Sequence, residues 1–231
     1  MIDWHSHILP AMDDGSRDVE ESIALLRQLR EQGVGTVIAT PHFYANDESV
    51  DSFLERREQA YGQLSKRAET DLPQIVLGAE VRYYPGICRM EHLKKLRIEG
   101  SKLLLLEMPF AKWTEYTVRE LMELAGAGST RIVLAHVERY LSLQSGKTWE
   151  QLYRSGILMQ VNASFFYELK TRRRALRFLN AGRIQFIGSD CHNLTSRPPR
   201  LDRAYEAIRK RFPEDFLVRM NEHGRAMLVH K

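Results

Sequence analysis

The sequence predicts an α/β fold assembled from seven βα units, either a barrel of irregular outline or a doubly wound sheet. Three observations point there. Seven short runs rich in Val, Ile and Leu recur along the 231 residues. Longer stretches of helical periodicity separate them. The apolar runs are nearly continuous rather than alternating, as in parallel strands buried on both faces.

The elements follow in order. "MIDWH" (1–5) is the first strand, and residues 18–32 form a helix with Val19, Ile23, Leu26 and Leu29 on one stripe. Gly33 suits its C-terminal cap. "TVIAT" (36–40) leads to a helix over 49–69, and "QIVLGAEV" (74–81) is the third strand. "KLLLLEM" (102–108) precedes a helix at 114–126, and "RIVLAH" (131–136) one at 147–155. "ILMQVNA" (157–163) and "IQFIGSD" (184–190) precede helices at 165–181 and 199–211. No repeat, low-complexity tract or linker divides the chain, so residues 1–231 are expected to form one domain. The Arg-rich "TRRRALRFLNAGR" (171–183) keeps Leu176 and Leu179 on an apolar side and reads as a solvated helix face.

Composition narrows the function. Hydrophobic residues make up 43% and charged residues 28%, an ordinary globular mix with a net charge of +4. A mildly basic chain suits an anionic substrate without pointing to nucleic acid. Cys88 and Cys191 stand far apart and in no metal-finger spacing, which fits a reduced, cytoplasmic protein. Asp3 and His5 interrupt the N-terminus before a signal-peptide core could form, and the longest apolar run, near "LLLLEMPF", is too short for a membrane span.

The chemistry lies at the strand ends. His5 and His7 end the first strand, with Asp14 in the loop beyond, and His42 follows the second. Glu80, Glu107 and His136 end the third, fourth and fifth, and Asp190 and His192 end the seventh. The chain has 8 histidines, and His5, His7, His42, His136 and His192 are all in this set. His92, His223 and His230 fit no strand end and read as surface or packing residues. In a parallel barrel all strand C-termini meet on one face, so scattered positions become one cluster of imidazoles and carboxylates. Side chains at i and i+2 of a strand point the same way, so His5 and His7 can reach one ion, as can Asp190 and His192. So many N and O ligands suit two or three divalent ions, with Mn, Fe or Zn preferred over Mg or Ca. Such a cluster supports hydrolysis of a phosphoryl group. Asp3 and Asp13 could orient ligands from behind.

These segments carry a resemblance. "IDWHSHILPAMDDG", "TPHFY", "GAEVRYYP", "LLLLEMPF", "AHVERY" and "GSDCHNLTSR" resemble the PHP (polymerase and histidinol phosphatase) superfamily. More closely, they look like its bacterial manganese-dependent tyrosine-protein phosphatases encoded with capsule and exopolysaccharide genes. The resemblance runs from residue 2 to residue 197. It implies a distorted (β/α)7 TIM-like barrel, the PHP fold, with three metals. By motif, His5, His7, Glu80 and Asp190 would hold the first ion; Glu80, Glu107 and His136 the second; Asp14, His42 and His192 the third. Arg139 in "HVERY" and Arg197 in "NLTSR" would grip the phosphate, a role that suits the guanidinium fork. The implied substrate is a phosphotyrosine protein, a tyrosine autokinase of polysaccharide export. Three departures leave every ligand in place: Val137 where the family often has Pro, Cys191 where it often has Ala, and Ala11-Met12 where Gly-Ile is common.

Rival readings remain to be tested. "CHNLTSR" satisfies the C-x5-R pattern of cysteine-based tyrosine phosphatases, but its loop lacks the glycines that wrap a phosphate in backbone N–H groups. A phosphodiesterase acting on nucleic acid would be expected to interleave aromatics with a basic track. A histidinol-phosphate-type phosphatase would use the same metals, and a silent scaffold would be expected to have lost ligands. The expected activity is metal-dependent phosphomonoester hydrolysis.

Overall fold

The computed structural model describes residues 1–67 and 71–228. His230 and the last two positions of the expected 49–69 helix lie outside them.

Every expected strand forms. β1 (Ile2–Ser6), β2 (Thr36–Ala39), β3 (His42–Phe43), β4 (Gln74–Leu77), β5 (Glu80–Arg82), β6 (Leu103–Glu107), β7 (Arg131–Leu134), β8 (Leu158–Asn162) and β9 (Phe186–Gly188) all pair in parallel. The hydrogen-bonded orders are β1-β2-β4 and β3-β5-β6-β7-β8-β9. Two findings go beyond the expectation. A short strand, β3, appears two residues after β2, and the run 74–81 breaks at Gly78–Ala79 into β4 and β5. Both breaks fall at the same level, because β2 pairs with β4 and β3 with β5. The sheet curls until its far edges meet. Ser6 bridges Cys191, the Asp190 N–H donates to His5 O at 2.8 Å, and the His7 N–H to Cys191 O at 2.9 Å. The protein is thus an α/β fold on a curled parallel sheet.

The helices are α1 (Val19–Glu31), α2 (Val50–Ser65), α3 (Glu115–Gly126), α4 (Gly146–Arg154), α5 (Ser164–Tyr167), α6 (Arg172–Asn180), α7 (Leu201–Arg209) and α8 (Phe216–Leu228). Gly33 follows α1 at φ +81°, as the cap requires. The expected 165–181 helix is interrupted, because the Thr171 hydroxyl donates to Phe165 O at 2.9 Å and takes a carbonyl that a helix would use. The sequence reading stops short of α8. Between β5 and β6 the chain makes only two short 3-10 turns, Ile87–Arg89 and Leu93–Leu96. Among the described residues no helix is long and apolar enough to cross a membrane.

Side chains from alternate strand positions build two apolar layers. Leu104, Leu106, Ile132, Leu134, Met159 and Val161 pack outward under the helices. Ile2, Trp4, Ile38, Leu103, Leu105, Val133 and Phe186 fill the inside of the curl. Helix α8 closes the end where the strands begin. Asn221 Oδ1 accepts the Ile2 N–H at 3.0 Å, and Met227 joins the inner cluster.

Candidate metal centre

At the other end of the curl the inner residues change from apolar to ionisable. Alternation delivers Glu107 to the face of Leu103 and Leu105 without further device. Three other positions need one. β1 holds one residue more than β2 between Asp3 and Ser6, and this bulge turns both Trp4 and His5 inward. His136 and Asp190 lie at φ +32° and +54°, the left-handed region that side chains rarely adopt. Backbone strain of this kind concentrates where geometry is demanded by function. Two glycines leave the necessary room. A Cβ at Gly188 would lie 2.5 Å from His5 Cβ, and one at Gly15 2.5 Å from His7 Cβ.

The structure brings all nine candidate ligands together. His5 Nε2 stands 3.1 Å from both His7 Nε2 and Glu80 Oε2. Asp190 Oδ1 lies 3.7 Å from His5 Nε2 and 3.5 Å from His7 Nε2. Glu80 reaches the other way as well, with Oε1 2.9 Å from His136 Nε2 and Oε2 3.1 Å from His42 Nδ1. Glu107 Oε1 is 3.5 Å from His136 Nε2. Asp14 Oδ1 lies 3.3 Å from His192 Nε2 and 3.5 Å from His42 Nε2. Three sets could each close on one ion: His5, His7 and Asp190; His42, Glu80 and Glu107; His7, Asp14, His42 and His192.

The outer hydrogen bonds orient the rings. The His136 backbone N–H donates to Gln160 Oε1 at 2.6 Å, which fixes the amide, so His5 must donate from Nδ1 to the same oxygen at 3.3 Å. His7 Nδ1 donates to Asp13 Oδ2 at 2.7 Å, and His192 Nδ1 to Asp190 O at 3.0 Å. Tyr140 gives its own proton to Met108 O, so its oxygen accepts from His136 Nδ1 at 3.2 Å. With each outer nitrogen engaged, an ion bound between the rings would displace any inner proton and meet the inner lone pairs. The His5–His7 contact sets two inner nitrogens face to face at 3.1 Å. His192 Nε2 and His42 Nδ1 are buried with no hydrogen-bond partner. Such a donor set fits a divalent cation.

Electrostatics agree. Burial works to raise the Glu80 carboxyl, but His5, His136 and His7 outweigh it and hold it well below the usual range. Burial, then the neighbouring His7, lowers His192 to about 4, so its ring is neutral at pH 7. Burial also disfavours charge on His136, yet Glu107 and Glu80 overcome it and raise the ring to about 9. Carboxylates that do this to a buried imidazole attract cations.

Both expected arginines reach the rim. Arg139 Nη2 donates to Asp190 Oδ2 at 2.7 Å and Arg197 Nη2 to Oδ1 of the same carboxylate at 2.9 Å. Sequence reasoning missed a third, Arg82, whose Nη1 donates to Glu107 Oε2 at 2.7 Å. Its signal was available, since Arg82 lies two residues past Glu80 on the same strand face. Gln160 and Tyr140 were also missed, and a lone polar residue in an apolar run gives little notice of its partner. Asp13 does stand behind a ligand, accepting from His7 and from the His42 N–H at 2.8 Å. Asp3 stands behind the site too, accepting from the His5 N–H at 3.3 Å, Ser189 N at 2.7 Å and Ser189 Oγ at 2.6 Å. Cys191 is fully buried in the outer layer, and burial pushes its thiol up to about 12. A thiol nucleophile needs the opposite environment.

Residues 1–228 match the family model described as capsular polysaccharide synthesis, CpsB/CapC. The chain belongs to the CpsB/CapC family. Its relatives include the tyrosine-protein phosphatase CpsB of Streptococcus pneumoniae, 34% identical over 92% of this chain and 91% of that protein. Another is the tyrosine-protein phosphatase YwqE of Bacillus subtilis (strain 168), 30% identical over 99% of this chain and 91% of that one. Among solved structures, one from a study of YwqE and CpsB as metal-dependent tyrosine phosphatases superposes with a TM-score of 0.82. That match has 28% identity and covers 99% of this chain and 94% of the other. CpsB/CapC membership and the ionisable cluster point the same way.

Proposed function

We propose that this chain is a metal-dependent tyrosine-protein phosphatase. The observation that carries the reading is the set of imidazoles whose outer nitrogens are tied down while the inner ones face each other and the carboxylates. His5, His7, Glu80 and Asp190 would hold one ion, Glu80, Glu107 and His136 a second, and Asp14, His42 and His192 a third. Mixed imidazole and carboxylate ligation favours Mn, with Fe or Zn as alternatives. Ions held there supply a water nucleophile at neutral pH and neutralise charge on phosphoryl oxygens.

The protein's own residues do the rest. Gln160, Asp13 and Tyr140 engage the outer ring nitrogens of His5, His7 and His136, so that the inner ones would be presented to an ion. Asp190 anchors Arg139 and Arg197, one on each carboxylate oxygen, so both guanidinium groups are preorganised before substrate arrives. Their remaining N–H groups would grip the phosphoryl oxygens. Arg82 holds Glu107 in place. A phenolate, with a pKa of about 10, leaves with less acid assistance than an alkoxide.

The partner would be a phosphotyrosine protein, a tyrosine autokinase of capsule or exopolysaccharide synthesis, met in the cytoplasm. Residues 1–231 would act as one domain, and the curl would count as a seven-unit barrel once β2 with β3 and β4 with β5 are taken as broken single strands. A turnover panel on Mn-loaded protein tests the function: phosphotyrosine peptide, phosphoserine peptide, histidinol phosphate and a dinucleotide. The phosphotyrosine peptide is expected to show the highest kcat/KM. Preference for histidinol phosphate or the dinucleotide would replace this reading with the corresponding rival.

A further inference from the structure

Two aromatic side chains stand exposed beside the centre without a role in the reading above. Phe110, three residues past Glu107, is 71% exposed, and Tyr44, two past His42, is 38% exposed. A phenyl ring left in water forgoes the burial that drives folding. Looseness does not explain it, because the loop that carries Phe110 is tied on both sides of that residue. Tyr140 Oη donates to Met108 O at 2.8 Å. Pro109 O accepts the Ala111 N–H at 2.8 Å and the Trp113 indole N–H at 3.2 Å. Gln144 donates to Ala111 O at 2.8 Å and accepts the Trp113 N–H at 3.0 Å. Phe110 thus sits at the apex of a tight, anchored turn. Tyr44 is held as well, with its ring stacked on His42 at 5.4 Å and 28° between planes.

Topology sets the two on one side of the mouth. Strands β3 and β6 flank β5, so the loops that leave them rise on both sides of Glu80 and Arg82. Arg139 and Arg197 come from the segments after β7 and β9. The mouth therefore carries the two aromatics on the β3–β6 side, where Arg82 is engaged by Glu107, and Arg139 and Arg197 on the other. An aryl phosphate has the same division, an anionic head on a flat apolar ring.

We propose that Phe110 and Tyr44 are the specificity-determining pair, an aromatic edge against which the ring of an aryl phosphate packs while its phosphoryl group faces the arginines. The inference rests on the phosphatase reading and deepens it, because it names what selects an aryl ester over an alkyl one. Aromatic contacts of this type are offset or edge-to-face, at centroid distances of about 4.5 to 7 Å. A phosphoserine side chain has no ring to reach the edge.

The test compares wild type, Phe110→Ala, Phe110→Trp, Tyr44→Ala and Val218→Ala, all Mn-loaded and of matched metal content. Val218 is 57% exposed on α8, at the opposite end of the curl, and serves as the control. Each protein is assayed on phosphotyrosine and phosphoserine peptides of one sequence. Binding of the two corresponding non-hydrolysable phosphonate peptides is measured by calorimetry. Phe110→Ala is expected to lower kcat/KM for the phosphotyrosine peptide about tenfold, chiefly through KM. It should weaken the tyrosine phosphonate by a similar factor and leave the serine phosphonate within about twofold. Tyr44→Ala should act in the same direction, Phe110→Trp should restore the preference, and Val218→Ala should change nothing. If Phe110→Ala and Tyr44→Ala affect neither phosphonate, or both equally, the aromatic edge is wrong while the phosphatase reading stands. A wild type with no preference for the phosphotyrosine peptide removes the phosphatase reading, and this inference with it.

Discussion

The inner face of the curled sheet consists of two regions set end to end. The same strands build both. β1 gives Trp4 to the lower region and His5 to the upper; β6 gives Leu105 and then Glu107; β7 gives Val133, with His136 just beyond it. The lower region is apolar and closed by α8, and its contacts satisfy it completely. The upper region buries imidazoles and carboxylates, whose desolvation costs far more than apolar packing returns. It is held in shape by its surroundings, through Gln160, Asp13, Tyr140 and the arginines. The backbone barely distinguishes the two regions. Residue type does, together with a bulge at the boundary between them and two left-handed residues in the upper one.

The comparison can be broken at the rim. Arg139→Ala removes a charged contact to Asp190 and to the expected phosphate, without touching the lower region. It is expected to cut turnover by about 10²- to 10³-fold, or roughly 2.7 to 4 kcal/mol of transition-state stabilisation. Metal content should stay at the wild-type level. Activity on a small aryl phosphate within about twofold of wild type would make Arg139 a surface residue.

A matched pair of glycines sharpens it. A Cβ at Gly188 would press on His5, whereas one at Gly224 in α8 would lie 2.7 Å from Trp4 Cζ2. Overpacking costs about 1 to 3 kcal/mol at either site. For Gly224→Ala a helix-propensity gain of about 1 kcal/mol offsets part of the loss. Gly188→Ala is therefore expected to lose stability, bound metal and turnover together. Gly224→Ala should lower Tm slightly and keep metal and kcat. Equal loss of metal in both variants would erase the boundary drawn here.

The smallest effect is expected at Cys191. Its side chain lies in the outer apolar layer, between two residues of the upper region. Cys191→Ala should cost about 1 kcal/mol of stability, and kinetics at matched metal content should show most of the activity retained. An inactive variant with its full metal would revive the thiol mechanism.

The two regions also differ in how far the sequence revealed them. The lower region follows from apolar runs, which are local signals, and each of the seven expected runs was legible within a residue or two, though β3 and the break between β4 and β5 were not. Eight of the nine ionisable residues were legible because each stands at or just past the end of such a run, and Asp14 because it follows His5 and His7 in the loop beyond. The devices between the two regions were not. The β1 bulge depends on pairing with β2, and the break at Gly78–Ala79 is aligned with that between β2 and β3, its pairing partners. Helix α8 was missed because its value lies in closing a space that other strands create. The 165–181 helix was read as continuous because nothing in its periodicity shows that Thr171 takes the Phe165 carbonyl. Arg82 and Gln160 find their partners 25 and 24 residues away, in Glu107 and the His136 N–H, beyond the reach of any local pattern.

The central claim is that the upper region is built around shared cations, with Glu80 facing His5, His42 and His136 at once. Elemental analysis of Glu80→Ala beside wild type, both purified in Mn and checked for fold by circular dichroism, tests it most directly. The account predicts more than one equivalent of metal in wild type and the loss of more than one in the folded variant. A folded Glu80→Ala protein that keeps the full wild-type metal content would contradict it.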